Sequence, residues 1–350
     1  MMHGLLAALV LGALGMTSVP AAARPAVQVL RFSELDGWAG DDHLAALQVF
    51  LTTCDAIRGP DWAGLCALAA GQPKSAAAAR SFFELFFEPV LIGAGHPALF
   101  TGYYEPELPG SLRRDPGFAY PIYRRPPGFT PGELWYSRAE IEQDGLLRGR
   151  GLEIAWLQDP VEVFFLQIQG SGRVLLPDGQ VLRVGFDGKN GHPYWSVGQE
   201  LVRRGIFAAH QVSAQTIRDW VRRNPADGLQ LLQHNPSFVF FRPLDTVPAD
   251  KGPLGAMGRS VTPLRSIAVD TDFTRLGAPV WVEKAGPAPL RRLMIAQDTG
   301  SAIKGAQRAD IYYGTGAAAG AAAGRIRDSG RMVVLLPISR GQAMLDESLP

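Results

Sequence analysis

The spacing of apolar residues changes along the chain, and this change separates helical segments from a region of short strands. Apolar residues that recur every three or four positions indicate one face of an amphipathic helix. Pro89 is expected to end the second such helix, because proline cannot continue a helical ladder. The helices predicted in this way are residues 33–53, 75–89, 195–205 and 213–223.

From residue 101 onward, short apolar stretches are broken by Gly, Pro and Asp at intervals typical of strands joined by turns. A hairpin is predicted over residues 173–185, and residues 317–323 are expected to form a small-residue helix packed close to a sheet. Residues 246–260, rich in Pro and Gly, indicate a loop between two units. Further strands are predicted at residues 161–168, 237–242, 265–270, 279–283, 292–297 and 331–336.

Composition narrows the class of protein. With 350 residues, 47% of them hydrophobic and 19% charged, the chain is globular and long enough for two domains. A formal net charge of +1 gives no indication of nucleic acid binding. None of the six histidines has the spacing of a metal-ligand motif, so neither a metal nor another cofactor is expected.

The N-terminus has the pattern of an export signal. Residues 4–15 form an apolar run that is too short to span a bilayer, and small residues up to Ala23 suit a signal peptidase. We therefore expect residues 1–23 to be a cleaved signal peptide and the protein to be periplasmic. In that oxidising compartment Cys54 and Cys66 could form a disulfide, although two buried thiols are the alternative.

The densest polar cluster lies in residues 296–314 and contains two carboxylates, Asp298 and Asp310, separated by a glycine-containing turn. If both face one cleft, burial and mutual repulsion would raise one pKa and keep that carboxyl protonated. Such an acid can donate a proton to a leaving oxygen. Asp270 closes another strand and could join them. The alternative is structural, since aspartates at strand ends commonly cap turns or pair with Lys or Arg.

Residues 298–301, Asp-Thr-Gly-Ser, also match the active-site turn of aspartic proteases. That mechanism needs two such turns that share a proton. The chain has only one, so a peptidase would require a dimer to supply the second.

A second cluster is aromatic and amide-rich. Tyr103 and Tyr104 lie in residues 100–106, and Gln167 and Gln169 are predicted to share one strand face. Aromatic rings stack on the apolar faces of sugars, and amides bond to hydroxyl and acetamido groups. The cluster therefore favours a sugar-binding groove, with core aromatics of a barrel as the alternative.

Short blocks along the chain follow the order found in one known family. They are residues 100–106, 120–123, 167–172, 190–194, 235–241, 252–255, 262–270, 297–298, 302–305 and 310–314. Together they resemble the membrane-bound lytic murein transglycosylase A family, glycoside hydrolase family 102. The likeness covers roughly residues 30–337.

The resemblance implies a mainly β fold with N-terminal helices, in which a second, barrel-like β domain is inserted into a double-psi β-barrel. The barrel would carry a three-aspartate (3D) motif that maps to Asp270, Asp298 and Asp310. The implied domains are an N-terminal helical part over residues 24–100, the inserted domain over residues 101–245 and the 3D catalytic part over residues 246–340.

The resemblance also implies cleavage of peptidoglycan between MurNAc and GlcNAc, with formation of a 1,6-anhydro end. Asp310 maps to the catalytic residue, acting as acid and then as base, and Asp298 would orient or polarise it. A non-catalytic glycan-binding protein of the same fold is the rival interpretation. The implied substrate-binding residues are Tyr103, Tyr104, Gln167, Gln169, Ser171, Lys304 and Asp270.

One departure from the family pattern concerns the residues before the acid. Relatives often have His-Phe at this position, whereas this chain has Arg308 and Ala309. The lipid-bearing cysteine of the best-known members is also missing, so membrane anchoring is not expected, and association with the outer membrane stays open. A monomer is expected, with cell-wall synthesis or division proteins as candidate partners.

Overall fold

The computed structural model describes residues 25–130, 132–341 and 343, and strands dominate it. The predicted signal peptide, residues 1–23, lies outside the described residues. The strands are β1 (Val27–Val29), β2 (Phe87–Ile92), β3 (Ala98–Glu105), β4 (Glu107–Ser111), β5 (Tyr120–Tyr123), β6 (Glu153–Leu157), β7 (Ser171–Leu175), β8 (Val181–Lys189), β9 (Val239–Pro243), β10 (Ser266–Val269), β11 (Pro279–Lys284), β12 (Leu290–Asp298), β13 (Arg308–Thr315) and β14 (Arg327–Pro337).

Helices precede β2 and recur within the middle of the chain. A disulfide joins Cys54 to Cys66, which confirms the pairing over the alternative of two free thiols. Three 3-10 helices lie at Phe32–Glu34, Trp38–Gly40 and Ala209–Gln211. The α-helices are α1 (His43–Leu51), α2 (Pro60–Ala70), α3 (Ala76–Phe86), α4 (Arg138–Gln143), α5 (Pro160–Gln169), α6 (Val197–Arg203), α7 (Ala214–Arg223), α8 (Pro225–Gln233) and α9 (Gly316–Ala323).

Six strands form a closed barrel. β14 pairs with both β11 and β3, and so completes the ring β14-β11-β12-β10-β13-β3. β2 pairs with the last residues of β14, and β1 pairs with β2. The largest apolar cluster joins these strands to α1, α2 and α3, and burial of that surface is the main stabilising contribution. The mainly β, barrel-containing fold is thus confirmed, while the double-psi crossing of the barrel strands stays a prediction.

A second sheet is inserted into the barrel. The chain leaves the barrel after β3, forms a sheet in the order β5-β6-β4-β7-β8-β9, and returns to the barrel at β10. Glu105, fully buried at the end of β3, accepts hydrogen bonds from Arg173 (2.9 Å) and Arg183 (2.8 Å) of the inserted sheet. Thr315 of β13 donates to the same carboxylate at 2.8 Å, so Glu105 ties the two sheets together. The domain boundaries themselves stay a prediction.

Most of the predicted elements are confirmed. The hairpin is β7 and β8, the helices at 195–205 and 213–223 are α6 and α7, and residues 246–260 form a loop. The small-residue helix is α9, and small side chains do allow it to approach the sheet closely. A Cβ added to Gly102 of β3 would lie 2.8 Å from the Cα of Ala323.

The strand predicted at residues 161–168 is wrong, because these residues belong to α5. Asp159 caps this helix by accepting the N–H of Val161 at 2.9 Å. Pro160 occupies the first helical position, where its missing N–H removes no bond. Most of the helix is buried on every side, so the apolar run showed no helical period.

Two helix boundaries also differ from the prediction. Residues 33–53 are two 3-10 turns followed by α1, whose N-cap is Asp42. The helix predicted to end at Pro89 ends at Phe86, and Pro89 lies in β2. Pairing of β2 with β1 and β14 outweighs the helical pattern there.

Candidate active site

Four barrel strands place one row of side chains on the same face of the sheet. Asp310 of β13 lies opposite Thr101 of β3 on one side and opposite Ala268 of β10 on the other. Ala268 in turn lies opposite Asp298 of β12. Directly opposed residues project from the same face, so Thr101, Asp310, Ala268 and Asp298 form a continuous row. The small alanine leaves space between the two carboxylates.

Asp310 is a half-buried carboxyl with one bonded oxygen. The hydroxyl of Thr101 donates to its Oδ1 at 2.6 Å. Burial raises the pKa of Asp310 above its ordinary range, although the Thr101 hydrogen bond and the Arg308 cation oppose the rise. The carboxyl therefore keeps its proton at a higher pH than an ordinary aspartate, as a proton donor requires.

Asp298 accepts three hydrogen bonds. Its Oδ1 receives the backbone N–H groups of Ala256 and Thr299, both at 2.9 Å, and its Oδ2 receives the hydroxyl of Tyr103 at 3.1 Å. Burial raises the pKa of Asp298 to about 6, because it outweighs these three hydrogen bonds, and the charge of Asp310 adds to the rise. With three donors directed at it, Asp298 is built to hold a negative charge in a fixed place.

Tyr103 connects Asp298 to the aromatic cluster. It is 8% exposed, and its ring packs on Tyr312 of β13 with 5.2 Å between ring centroids. Burial and the nearby carboxylates of Asp298 and Asp310 raise the pKa of Tyr103 well above its usual range. The phenol therefore stays neutral and acts as a hydrogen-bond donor.

Asp270 and Lys304 pair with each other. Lys304 Nζ donates to Asp270 Oδ1 at 2.9 Å, and the N–H of Gly305 donates to Oδ2 at 2.8 Å. Burial would raise the pKa of Asp270, but the hydrogen bonds from Gly305 and Lys304 outweigh it and the pKa is lowered. The pair closes the turn between β12 and β13, and so sets the positions of both site aspartates.

Tyr104, Gln169 and Ser171 lie where the inserted domain meets β3. The N–H of Tyr104 donates to Oε1 of Gln169 at 3.1 Å. Ser171, which begins β7, is 7% exposed. The structure thus brings Tyr104 and Gln169 together at the seam between the two sheets.

The side chain of Gln167 points to a different side of α5 from that of Gln169. It lies two positions before Gln169 on α5, where side chains point to nearly opposite sides, so the expectation of a shared strand face is wrong. Gln167 is 5% exposed, and its Oε1 accepts from Nη2 of Arg138 at 2.5 Å. The structure therefore places it in the interior of the inserted domain, away from the aspartate row.

Known proteins share both domains. Residues 99–242 match the family described as MltA specific insert domain, and residues 265–336 match the 3D domain. Membrane-bound lytic murein transglycosylase A of Vibrio cholerae is 35% identical over 244 residues, 67% of this chain and 64% of that protein. Its namesake in Escherichia coli K12 is 38% identical over 251 residues, 67% of this chain and 65% of that one. The matched region thus spans slightly less than two thirds of these relatives.

Solved structures cover more of the chain. A membrane-bound lytic murein transglycosylase from Agrobacterium tumefaciens is 33% identical with a TM-score of 0.79, over 91% of this chain and 99% of that one. The chain belongs to the membrane-bound lytic murein transglycosylase A (MltA) family. MltA from Neisseria gonorrhoeae is 33% identical with a TM-score of 0.75, covering 91% of this chain and 96% of that one. Escherichia coli MltA with bound chitohexaose is 29% identical with a TM-score of 0.68, covering 85% and 90%.

Sequence reasoning missed two groups in the site of this MltA family member. Thr101 bonds to Asp310, and its signal was its position two residues before Tyr103, on the same strand face. Ala256 donates to Asp298 from the loop that was interpreted only as a connection. In the described part of the chain, no cluster of three or more His, Cys, Asp or Glu side chains could hold a metal ion.

Proposed function

We propose that this chain is a lytic transglycosylase that cuts peptidoglycan glycan strands between MurNAc and GlcNAc and leaves 1,6-anhydro-MurNAc ends. The observation that carries the proposal is the state of Asp310, a half-buried carboxyl with a raised pKa in line with a second carboxylate. Family membership supports the substrate, since the relatives are named for murein and one solved relative has bound chitohexaose.

A single acid suffices because the nucleophile belongs to the substrate. Asp310 gives its proton to the glycosidic oxygen as the bond from that oxygen to C1 of MurNAc breaks. The C6 hydroxyl of the same ring then bonds to C1, and the carboxylate of Asp310 takes its proton. No water is consumed. An intramolecular nucleophile gains roughly 7–11 kcal/mol in ideal geometry, so a second carboxyl acting as base is not required.

Asp298 serves as a fixed anion in this scheme. Its oxygens already accept bonds from Ala256, Thr299 and Tyr103, which leaves it poorly placed to move a proton. With a pKa of about 6 it is mostly charged at neutral pH. Its charge would stabilise positive charge that develops at C1.

The glycan would run along the seam between the barrel and the inserted domain. Tyr104 and Gln169, which are half-buried there, would offer an aromatic face and an amide to a sugar. Tyr103 and Ser171, 8% and 7% exposed, would line the same wall from beneath. Gln167 would support this wall from the interior. Asp270 and Lys304 would act on substrate through the turn that they close, with the exposed Lys304 ammonium available at its rim.

Export and assembly are part of the same proposal. A signal peptide at residues 1–23 would deliver the protein to the periplasm, and the disulfide fits an oxidising compartment. The described residues include no helix long and apolar enough to cross a membrane. The relatives are named membrane-bound, so association with the outer membrane belongs to the proposal, as do a monomeric state, the double-psi barrel and partners in cell-wall synthesis or division.

The test is incubation of the purified protein with murein sacculi, followed by mass spectrometry of the released products. Anhydro-muropeptides are expected, and Asp310→Asn should abolish their release while sedimentation with sacculi is retained. Ordinary reducing ends would indicate a hydrolase, and no products from the wild type would leave a glycan-binding protein. Release by Asp310→Asn, or a pepstatin-sensitive peptidase activity, would overturn the assignment.

A further inference from the structure

Three side chains on two adjacent strands form a chain of hydrogen bonds that ends at the catalytic acid. Nη2 of Arg308 donates to the hydroxyl oxygen of Thr101 at 2.8 Å. The hydroxyl of Thr101 donates to Oδ1 of Asp310 at 2.6 Å. Arg308 lies opposite Leu99, and Asp310 lies opposite Thr101. The register of β13 against β3 therefore fixes the spacing between the three hydrogen-bonded side chains.

The guanidinium of Arg308 is itself held in place. Its Nη1 donates to the carbonyl oxygen of Ala309 at 2.6 Å and to that of Leu99 at 3.3 Å. Arg308 forms no direct ion pair with Asp310 in the described part of the chain, so its contact with the acid runs through Thr101. A side chain fixed by two backbone carbonyls is well suited to orient a third group.

The direction of these bonds follows from the number of protons available. A guanidinium only donates, whereas a hydroxyl has one proton to give and lone pairs to receive. Because Thr101 accepts from Arg308, its proton is free to be directed at Asp310. Without Arg308, the hydroxyl could rotate and accept a proton from the protonated acid instead.

We propose that Arg308 is a positioning residue that acts through Thr101. It commits the Thr101 hydroxyl to donate to Oδ1, and thereby places the exchangeable proton of Asp310 on Oδ2. The same oxygen would then give the proton to the glycosidic oxygen and take the proton from the C6 hydroxyl. This inference rests on the proposed function, because it assumes that Asp310 is the catalytic acid.

Other charged or titratable groups face Asp310 from the neighbouring elements. Asp298 lies across Ala268, Tyr103 follows Thr101 on β3, and Tyr313 follows Asp310 on its own strand. Arg327 of β14 is exposed and lies opposite Thr101. Arg327 therefore offers a matched control, since it adds positive charge near the row without a hydrogen bond to Thr101.

The test is a double-mutant cycle on anhydro-muropeptide release, with Thr101→Val, Arg308→Gln and the double variant. Loss of a hydrogen bond to a charged group should lower kcat of Thr101→Val by about tenfold or more. Arg308→Gln should lower kcat less, and the double variant should match Thr101→Val, because both changes break one chain. Thr101→Ser should retain most activity, and Arg327→Gln, which removes a positive charge near the row but no hydrogen bond to Thr101, should lower kcat less than Arg308→Gln.

The pH profile gives a readout that a merely structural role would not move. The Thr101 donor and the Arg308 cation favour the carboxylate of Asp310. Removing either should raise the pKa of Asp310, so the alkaline limb of kcat/KM should move to higher pH in Thr101→Val and in Arg308→Gln.

Two failures are distinguishable. Additive losses in the cycle, or an unmoved alkaline limb, would overturn the positioning role of Arg308 even if Asp310→Asn is inactive. An active Asp310→Asn would instead overturn the proposed function itself. Melting temperatures of all variants close to wild type show that the comparison is between folded enzymes, and Thr101→Ser keeps the test available if Thr101→Val unfolds.

Discussion

Replacing Asp298 with Asn should stabilise the protein at neutral pH. Burial raises the pKa of Asp298 to about 6 from an ordinary value of 3.8, so the folded state holds the charged form at a cost. The replacement fits the site, because the amide oxygen can accept from Ala256 and Thr299 while the amide nitrogen donates to the oxygen of Tyr103.

The magnitude follows from linkage between proton binding and folding. Between pH 3.8 and about 6 the folded state binds more protons at Asp298 than the unfolded state, so stability falls as pH rises through this window. A pKa of about 6 against 3.8 corresponds to about 3 kcal/mol of lost stability above pH 6. Asp298→Asn should recover up to this amount at pH 7.5 and almost none at pH 4.

The assay is thermal and urea denaturation of both proteins from pH 4 to pH 8. A gain of about 3 kcal/mol corresponds to roughly 5 °C in Tm or more for a domain of this size. Asp270→Asn is the matched control with the opposite sign, because the hydrogen bonds of Gly305 and Lys304 lower the pKa of Asp270. A lower stability of Asp298→Asn at pH 7.5, or a difference that does not change with pH, would refute the reasoning.

Two further substitutions test what holds the fold together. Glu105→Ala leaves the buried Arg183 and the half-buried Arg173 without their carboxylate, so stability should fall by about 3–5 kcal/mol in calorimetry. A change below about 1 kcal/mol would show that Glu105 does not tie the two sheets together. Replacing Cys54 and Cys66 with Ser opens a short loop, which should lower the free energy of unfolding by about 2–4 kcal/mol. Reduction of the wild-type disulfide should lower Tm in the same way, and equal Tm values before and after reduction would contradict this expectation.

The spacing of apolar residues along the sequence predicted most of the helices and strands. It failed where a helix is buried on most sides, because its apolar residues then show no helical period. The helices with one exposed face, such as α7, were found because their apolar residues repeat at helical spacing. α5 was assigned to a strand because it is buried on most sides, although Asp159 and Pro160 carried a helix-start signal. A helix cap of this kind can be recognised from adjacent residues in the sequence, but tertiary packing decides whether a helix forms there.

The identity of the site residues was easier to predict than their arrangement in space. Asp270, Asp298 and Asp310 could be identified in the sequence, but the direction in which their side chains project depends on strand register. A shift in pairing between Ile267 and Ala268 makes Ala268 lie opposite Asp298, where regular pairing would place Gln297. A one-residue slip reverses the face to which a side chain points, and no local pattern specifies this bulge.

The three aspartates of the motif have opposite effects on stability, and this difference follows from where each lies relative to the row. Asp270 closes the turn with Lys304 and Gly305, and its lowered pKa means that its charge stabilises the fold. Asp298 and Asp310 lie on the row itself, where burial raises both pKa values and their charged forms weaken the fold. That cost is incurred at the two positions that would face substrate, while Asp270 fixes the turn between their strands, and this distribution supports the proposed catalytic role of Asp310.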